Sequence, residues 1–341
     1  NATCASTDAH PSKPHAVSFL DENLNTLLQW VRFFVFKGEH VDTSAALFKM
    51  LISKDDPLRH RITSSRKVTD LFLSLWTRKD NDRRYFVIFK YELCPLLDLL
   101  NGFLKNDVGK SHIFALLDEP RSIGTVAKTV CGQIQQLTRR HLQGECSWKF
   151  TILHFLKLLR LTSQLLRTHR DWSAFFGSRD LLRILMKDLW LISKRKNSPD
   201  SWRMVFNVLR YISEFTLDAP LGTYPALLKV KAVVEGGMIH MLTDCILHIP
   251  DTSRDNLTAV LILQHLAAYS IYHEVSSLVP IVTELVKTMK CAEPAGHGTQ
   301  MSKRDEIILI ISCAVAQTTA VHRGIDFGPR QLCDGLNVCI C

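Results

Sequence analysis

Apolar side chains recur at spacings of three and four along nearly the whole of this chain, and that period commits it to helices that pack by one face. Val17–Phe36 places Leu20, Leu24, Leu27, Leu28, Val31 and Val35 on one side. Thr43–Ser53 does so through Ala46, Leu47, Met50 and Leu51, and Ser65–Thr77 through Val68, Phe72, Leu75 and Trp76. Pro95 should separate a helix over Arg84–Cys94 from one over Leu96–Lys105, because a mid-helix proline loses a hydrogen bond and clashes with the preceding turn. Further helices are expected over Lys110–Leu117, Ser122–Leu142, Ser147–His169, Ser178–Lys194 and Pro199–Leu217. Pro225–Glu235, Gly237–His248, Thr252–Tyr269, Glu274–Lys290 and Ser302–Ala320 complete the set. No run alternates apolar and polar residues between turns, so the expected fold is all-α.

The connections are mostly short, which makes sequential helices antiparallel hairpins. A dozen or more such helices cannot share one bundle core. The economical arrangement is a stack in which each hairpin buries its face on the next. Fifteen Gly and twelve Pro in 341 residues are fewer turn formers than the roughly 12% of an average chain, in keeping with long helices. No exact repeat of fixed period is present.

One segment is more specific. Val233-Val234-Glu235-Gly236-Gly237-Met238-Ile239-His240-Met241-Leu242-Thr243-Asp244-Cys245-Ile246 resembles the start of an armadillo repeat. There a helix ends on glycine, turns sharply, and the next opens with two apolar residues, a spacer and a leucine. A left-handed cap and a close helix approach both call for glycine. Asn256–Tyr269 would supply the long third helix, with Ala259, Leu263, Leu266 and Ala267 inside, and Glu274–Lys290 with Ser302–Ala320 a looser second copy. The resemblance implies an armadillo/HEAT-like α-solenoid, a right-handed superhelix of antiparallel hairpins, and a protein-binding scaffold. Residues 1–14 are read as a disordered N-terminus, 15–322 as the helical array, most armadillo-like over 225–320, and 323–341 as a Cys-containing tail.

Charge is uneven. Residues 151–215 carry a net +7, against +5 over 1–150 and −3 over 216–341, within a total of +9. Arg160, Arg167, Arg170, Arg183, Lys194, Arg195 and Lys196 are the candidate partner-binding residues, set among Trp148, Phe150, Phe155, Trp172 and Trp190. A solvated helix face would look the same. As a site, the band would take an acidic or extended protein, with nucleic acid the alternative. Nucleic acid needs cations and stacking aromatics repeated in every unit, and here the cations crowd into one third of the chain.

Catalytic motifs fail on inspection. Gly109-Lys110-Ser111 lacks the glycine a phosphate loop needs five residues earlier, where Leu104 stands, and follows a helix instead of a strand. Asp55-Asp56-Pro57-Leu58-Arg59 and Asn81-Asp82-Arg83-Arg84-Tyr85 lack the acidic set of a magnesium-binding helix. His240 and His248, like His265 and His273, are eight apart, too far to share a metal, and are expected as core or groove residues. We expect no enzyme and no bound cofactor. At the end of the sequence Cys333, Cys339 and Cys341 bring three thiols into nine residues. Leu332-Cys333-Asp334 after a helical region is similar to the beginning of a MYND-type zinc finger, which in fungal proteins follows a helical repeat. That implies zinc only if a complete finger is present; the other reading is an unstructured tail.

The sequence starts at Asn1 without the charged start and apolar core of a secretory signal, consistent with a mature form or a fragment. The longest uncharged stretch of interest, Asn256–His273, contains Asn256, Gln264, His265 and His273 and falls short of a bilayer span. Seven of the ten cysteines are scattered singly, as reduced thiols are. An intracellular location, cytoplasmic or nuclear, and no membrane partner are therefore expected; oligomeric state is left open.

Overall fold

The computed structural model describes residues 18, 22–37, 41–54, 56–80, 82–86, 94–118, 122–166, 179–194, 198–217, 224–250 and 252–269. Among these the fold is all-α, with an isolated bridge between Lys79 and Tyr85 and no named strand. Thirteen helices are described: α1 (Leu24–Lys37), α2 (Val41–Lys54), α3 (Asp56–Thr63), α4 (Arg66–Thr77), α5 (Pro95–Lys105), α6 (Asp107–Leu117), α7 (Ser122–Leu142), α8 (Trp148–Leu166), α9 (Arg179–Ser193), α10 (Pro199–Leu217), α11 (Tyr224–Glu235), α12 (Met238–His248) and α13 (Arg254–Ala268). None is long and apolar enough to cross a membrane. The helices expected over 274–290 and 302–320, and both terminal segments, lie outside the described residues. The chain divides into two compact units, residues 1–129 and 130–341.

In the first unit α2 packs on α3 and α5, α4 on α5 and α6, and α1 on α2 and α4. Phe48, Phe72 and Phe103, all fully buried, join α2, α4 and α5, with ring centroids 5.0 and 6.4 Å apart. These edge and tilted contacts add to the area each ring removes from water. Asn106 caps α6 by accepting a hydrogen bond from the Gly109 N–H at 3.0 Å. A Cβ on Gly109 would lie 2.5 Å from the Thr63 carbonyl. The Gly-Lys-Ser sequence thus marks a close helix approach at the buried Gly109.

Two expectations are corrected here. The helix predicted from Arg84 does not begin there: Arg83 adopts φ 62° and Tyr85 bridges back to Lys79. The Tyr85 hydroxyl then donates to the Lys128 carbonyl at 3.2 Å, and Pro95 opens α5 as its first residue, where its missing N–H is no loss. Helix α3 has no counterpart among the helices expected from the sequence. Pro57 stands in its first turn, and Leu58 and Ile62, one turn apart, are its buried face.

In the second unit α8 packs on α10, α10 on α12 and α9 on α11, with α10 also touching α9, α11 and α13. Side-chain bonds fix the directions. The Trp148 indole N–H donates to the Ile192 carbonyl at 3.0 Å, so the start of α8 meets the end of α9. The buried Lys229 ammonium donates to the Phe215 carbonyl at 3.2 Å, and the Cys245 thiol to the Trp202 carbonyl at 3.7 Å. Hence α11 and α12 both run antiparallel to α10, one after the other, with a kink at Gly236-Gly237. Asn256 of α13 donates to the carbonyls of Ile246 and Ile249, each at 2.9 Å, satisfying the open end of α12.

Candidate functional site

Helix α9 buries Leu181, Leu182, Leu185, Met186, Leu189 and Ile192. That apolar set, at spacings of one, three and four, leaves Arg183, Lys187, Trp190 and Lys194 on the opposite stripe at i, i+4, i+7 and i+11. Arg183, Lys187 and Lys194 are exposed, and Trp190 is half-buried. None of the three cations pairs with a carboxylate among the described residues. At 1.5 Å of rise per residue the stripe runs for about 16 Å.

The Trp190 ring is fixed from two sides. The Lys194 ammonium lies over it, 5.3 Å from its centroid. The His240 ring of α12 lies 5.8 Å away on a tilted plane. The kink brings α12 into this position. Gly237 takes the left-handed conformation, φ 94°. A Cβ on Gly236 would meet the Met186 Cβ at 2.4 Å, and one on Gly237 would sit 3.9 Å from the Trp190 ring. Only a chain without side chains at 236 lets the α11–α12 corner rest directly on α9. Burial lowers the His240 pKa, favouring the neutral imidazole.

Behind the stripe, Asp188 is buried at 8% exposure with Oδ2 lacking a hydrogen-bond partner. Burial pushes its carboxyl up to about 6, opposed by the charge of Lys187. Across from it on α7, burial lifts the Cys131 thiol to about 12, with the Asp188 charge adding to the effect. A thiol held that far above the usual range is not a nucleophile at neutral pH.

Of the residues expected from the sequence, Arg183 and Lys194 share this stripe. Arg160 is exposed on α8, whose principal neighbour is α10, and belongs to a different helix face. Arg167, Arg170, Arg195 and Lys196 lie outside the described residues. Sequence reasoning passed over Lys187, although it stands one turn after Arg183 and completes the i, i+4, i+11 pattern. The contact of Trp190 with His240 had no local signal, since it depends on the glycine corner. Among the described residues no group of three or more His, Cys, Asp or Glu could hold a metal. Cys94, Cys131, Cys146 and Cys245 are not in disulfides, and Cys333, Cys339 and Cys341 lie outside the described set. His248 and His265, expected in a core or groove, are exposed. His248 stacks on the Trp202 ring at 5.2 Å.

No known protein family, curated protein or solved structure matches this chain.

Proposed function

We propose that this protein is a non-catalytic interaction scaffold of armadillo/HEAT character, and that the α9 stripe receives an acidic, extended protein segment. The observation that carries this reading is the row Arg183, Lys187 and Lys194, three exposed cations on one helix face with no ion pair among the described residues. Like charges so aligned repel one another, and an anionic ligand relieves that repulsion. An extended segment of about five residues matches the length of the row at roughly 3.3 Å each. Trp190, held by Lys194 and His240, adds a rigid apolar contact at its middle.

Two features support the repeat architecture. Alternate helices of the second unit pack together, α8 on α10 and α9 on α11, as they do when hairpins stack. The Gly236-Gly237 corner has the left-handed turn and close approach that the armadillo resemblance calls for.

The test is capture from nuclease-treated cell extract with the full chain and with an Arg183→Glu/Lys187→Glu/Lys194→Glu variant, at low and high salt. Acidic proteins retained by the native chain, released by salt and absent from the variant are the expected result. Identical protein sets on both chains, or loss of all binding after nuclease, would refute it.

A further inference from the structure

A second surface, in the first unit, has a different composition. Helix α1 buries Leu24, Leu28 and Val31 and turns Asn25, Gln29, Phe33, Trp30 and Lys37 outward. Trp30 is 59% exposed and Phe33 52%, so two large apolar side chains lie side by side in water. Trp30 stacks on Phe34 at 6.2 Å, and Phe33 meets Phe34 edge-on at 5.6 Å. The Lys37 ammonium lies 4.5 Å from the Phe33 ring centroid.

On a neighbouring stripe of α1, at the seam with α4, Asn25, Leu28, Gln29, Arg32 and Lys67 line a notch of about 90 Å³. Its rim offers two cations and two amides, and neither Arg32 nor Lys67 pairs with a carboxylate among the described residues. Helix α1 contains no acidic residue, and α4 opens with Arg66-Lys67. Glu22 before α1 and the half-buried Asp70 are the nearest described carboxylates in sequence.

We propose that the outer face of α1 is a contact site for an anionic lipid bilayer surface. Arg32 and Lys67 seat a lipid phosphate, and Trp30 and Phe33 enter the headgroup layer. Aromatic rings at a polar–apolar boundary with flanking cations are the chemistry of such contacts. The face is the convex side of one helix, which suits a plane better than an extended peptide, and the notch admits a single phosphate-sized group. This is surface contact, compatible with helices too short and polar to span. It stands independently of the α9 stripe, which lies in the other unit.

Sedimentation of the full chain with phosphatidylcholine vesicles, with and without phosphatidylserine, tests it. The native chain should partition onto the serine-containing vesicles only. Each of Arg32→Gln and Lys67→Gln should weaken partition about 5-fold, and the pair about 30-fold, from the attraction of a basic side chain to an anionic surface. Trp30→Ser with Phe33→Ser, checked to unfold at the same urea concentration as the native chain, should weaken it at least about 10-fold. The Arg183→Glu/Lys187→Glu/Lys194→Glu chain should bind vesicles as the native chain does. No partition by the native chain, or full partition by the Trp30→Ser/Phe33→Ser chain, would overturn the proposal. So would complete displacement by soluble glycerophosphoserine, which would make the notch a free-phosphate site.

Discussion

Replacing Asp188 with Asn should change how the stability of this protein depends on pH. The carboxyl sits behind α9 with Oδ2 unpartnered, and burial lifts it from 3.8 to about 6. A raised carboxyl favours the protonated form in the folded state. Below about pH 4 both folded and unfolded chains are protonated and burial carries no charge penalty. Between about pH 4 and 6 the unfolded carboxyl ionises first, so stability falls, and above about pH 6 the whole penalty is present. At 1.36 kcal/mol per pH unit the displacement corresponds to at most about 3 kcal/mol. The Lys187 charge is already contained in that displacement, and partial solvent screening reduces it to about 1–2 kcal/mol. Asn removes the charge but not the shape. Urea unfolding of both chains across pH 4–8 gives the comparison. The stability difference, Asp188→Asn minus native, should rise by about 1–2 kcal/mol from pH 4 to 7 and then level off. A constant offset from the buried amide is acceptable. A difference independent of pH would refute the reasoning, because it would mean that Asp188 ionises in the fold as it does in water.

Gly236→Ala should destabilise the second unit by about 1–3 kcal/mol, since its Cβ would stand 2.4 Å from the Met186 Cβ; it should also disturb the Trp190 environment, visible as a change in near-UV circular dichroism. Urea unfolding that matches the native chain would contradict the close approach. Asn256→Ala should cost about 2 kcal/mol, from two bonds to the α12 carbonyls at about 1 kcal/mol each, and amide exchange in α12 and α13 should quicken. Unaltered exchange there would show that the two bonds do not hold the hairpin.

Much of the helical architecture was legible in the sequence, because one-sided burial at a 3.6 period leaves a local trace. Helices α7 and α10 occupy Ser122–Leu142 and Pro199–Leu217, as the pattern of their apolar residues requires. The failures are local contests between signals. Pro57 reads as a stop, yet in a first turn its missing N–H has no partner to lose. The Arg84 region carries apolar residues nearby, but the left-handed Arg83 and the Lys79–Tyr85 bridge divert the chain. Sites were less legible. Arg183 and Lys194 could be placed on one face by counting, and Lys187 should have been. The contact of His240 with Trp190 needed the glycine corner, and that corner is set by the packing of α11 on α9, residues some fifty apart in the chain. The separation of Arg160 from the stripe has the same origin: α8 makes its main contact with α10, which no local pattern reveals.

The most direct test of the α9 stripe as an acidic-segment site is a fluorescence anisotropy titration of labelled oligoglutamate with the full chain over a range of salt. The native chain should bind with an affinity that falls as salt rises. The Arg183→Glu/Lys187→Glu/Lys194→Glu chain, unfolding at the same urea concentration, should bind at least about tenfold more weakly. Equal affinity in the two chains, or complete displacement of oligoglutamate by a single-stranded oligonucleotide of the same charge at lower concentration, would contradict the site proposed here.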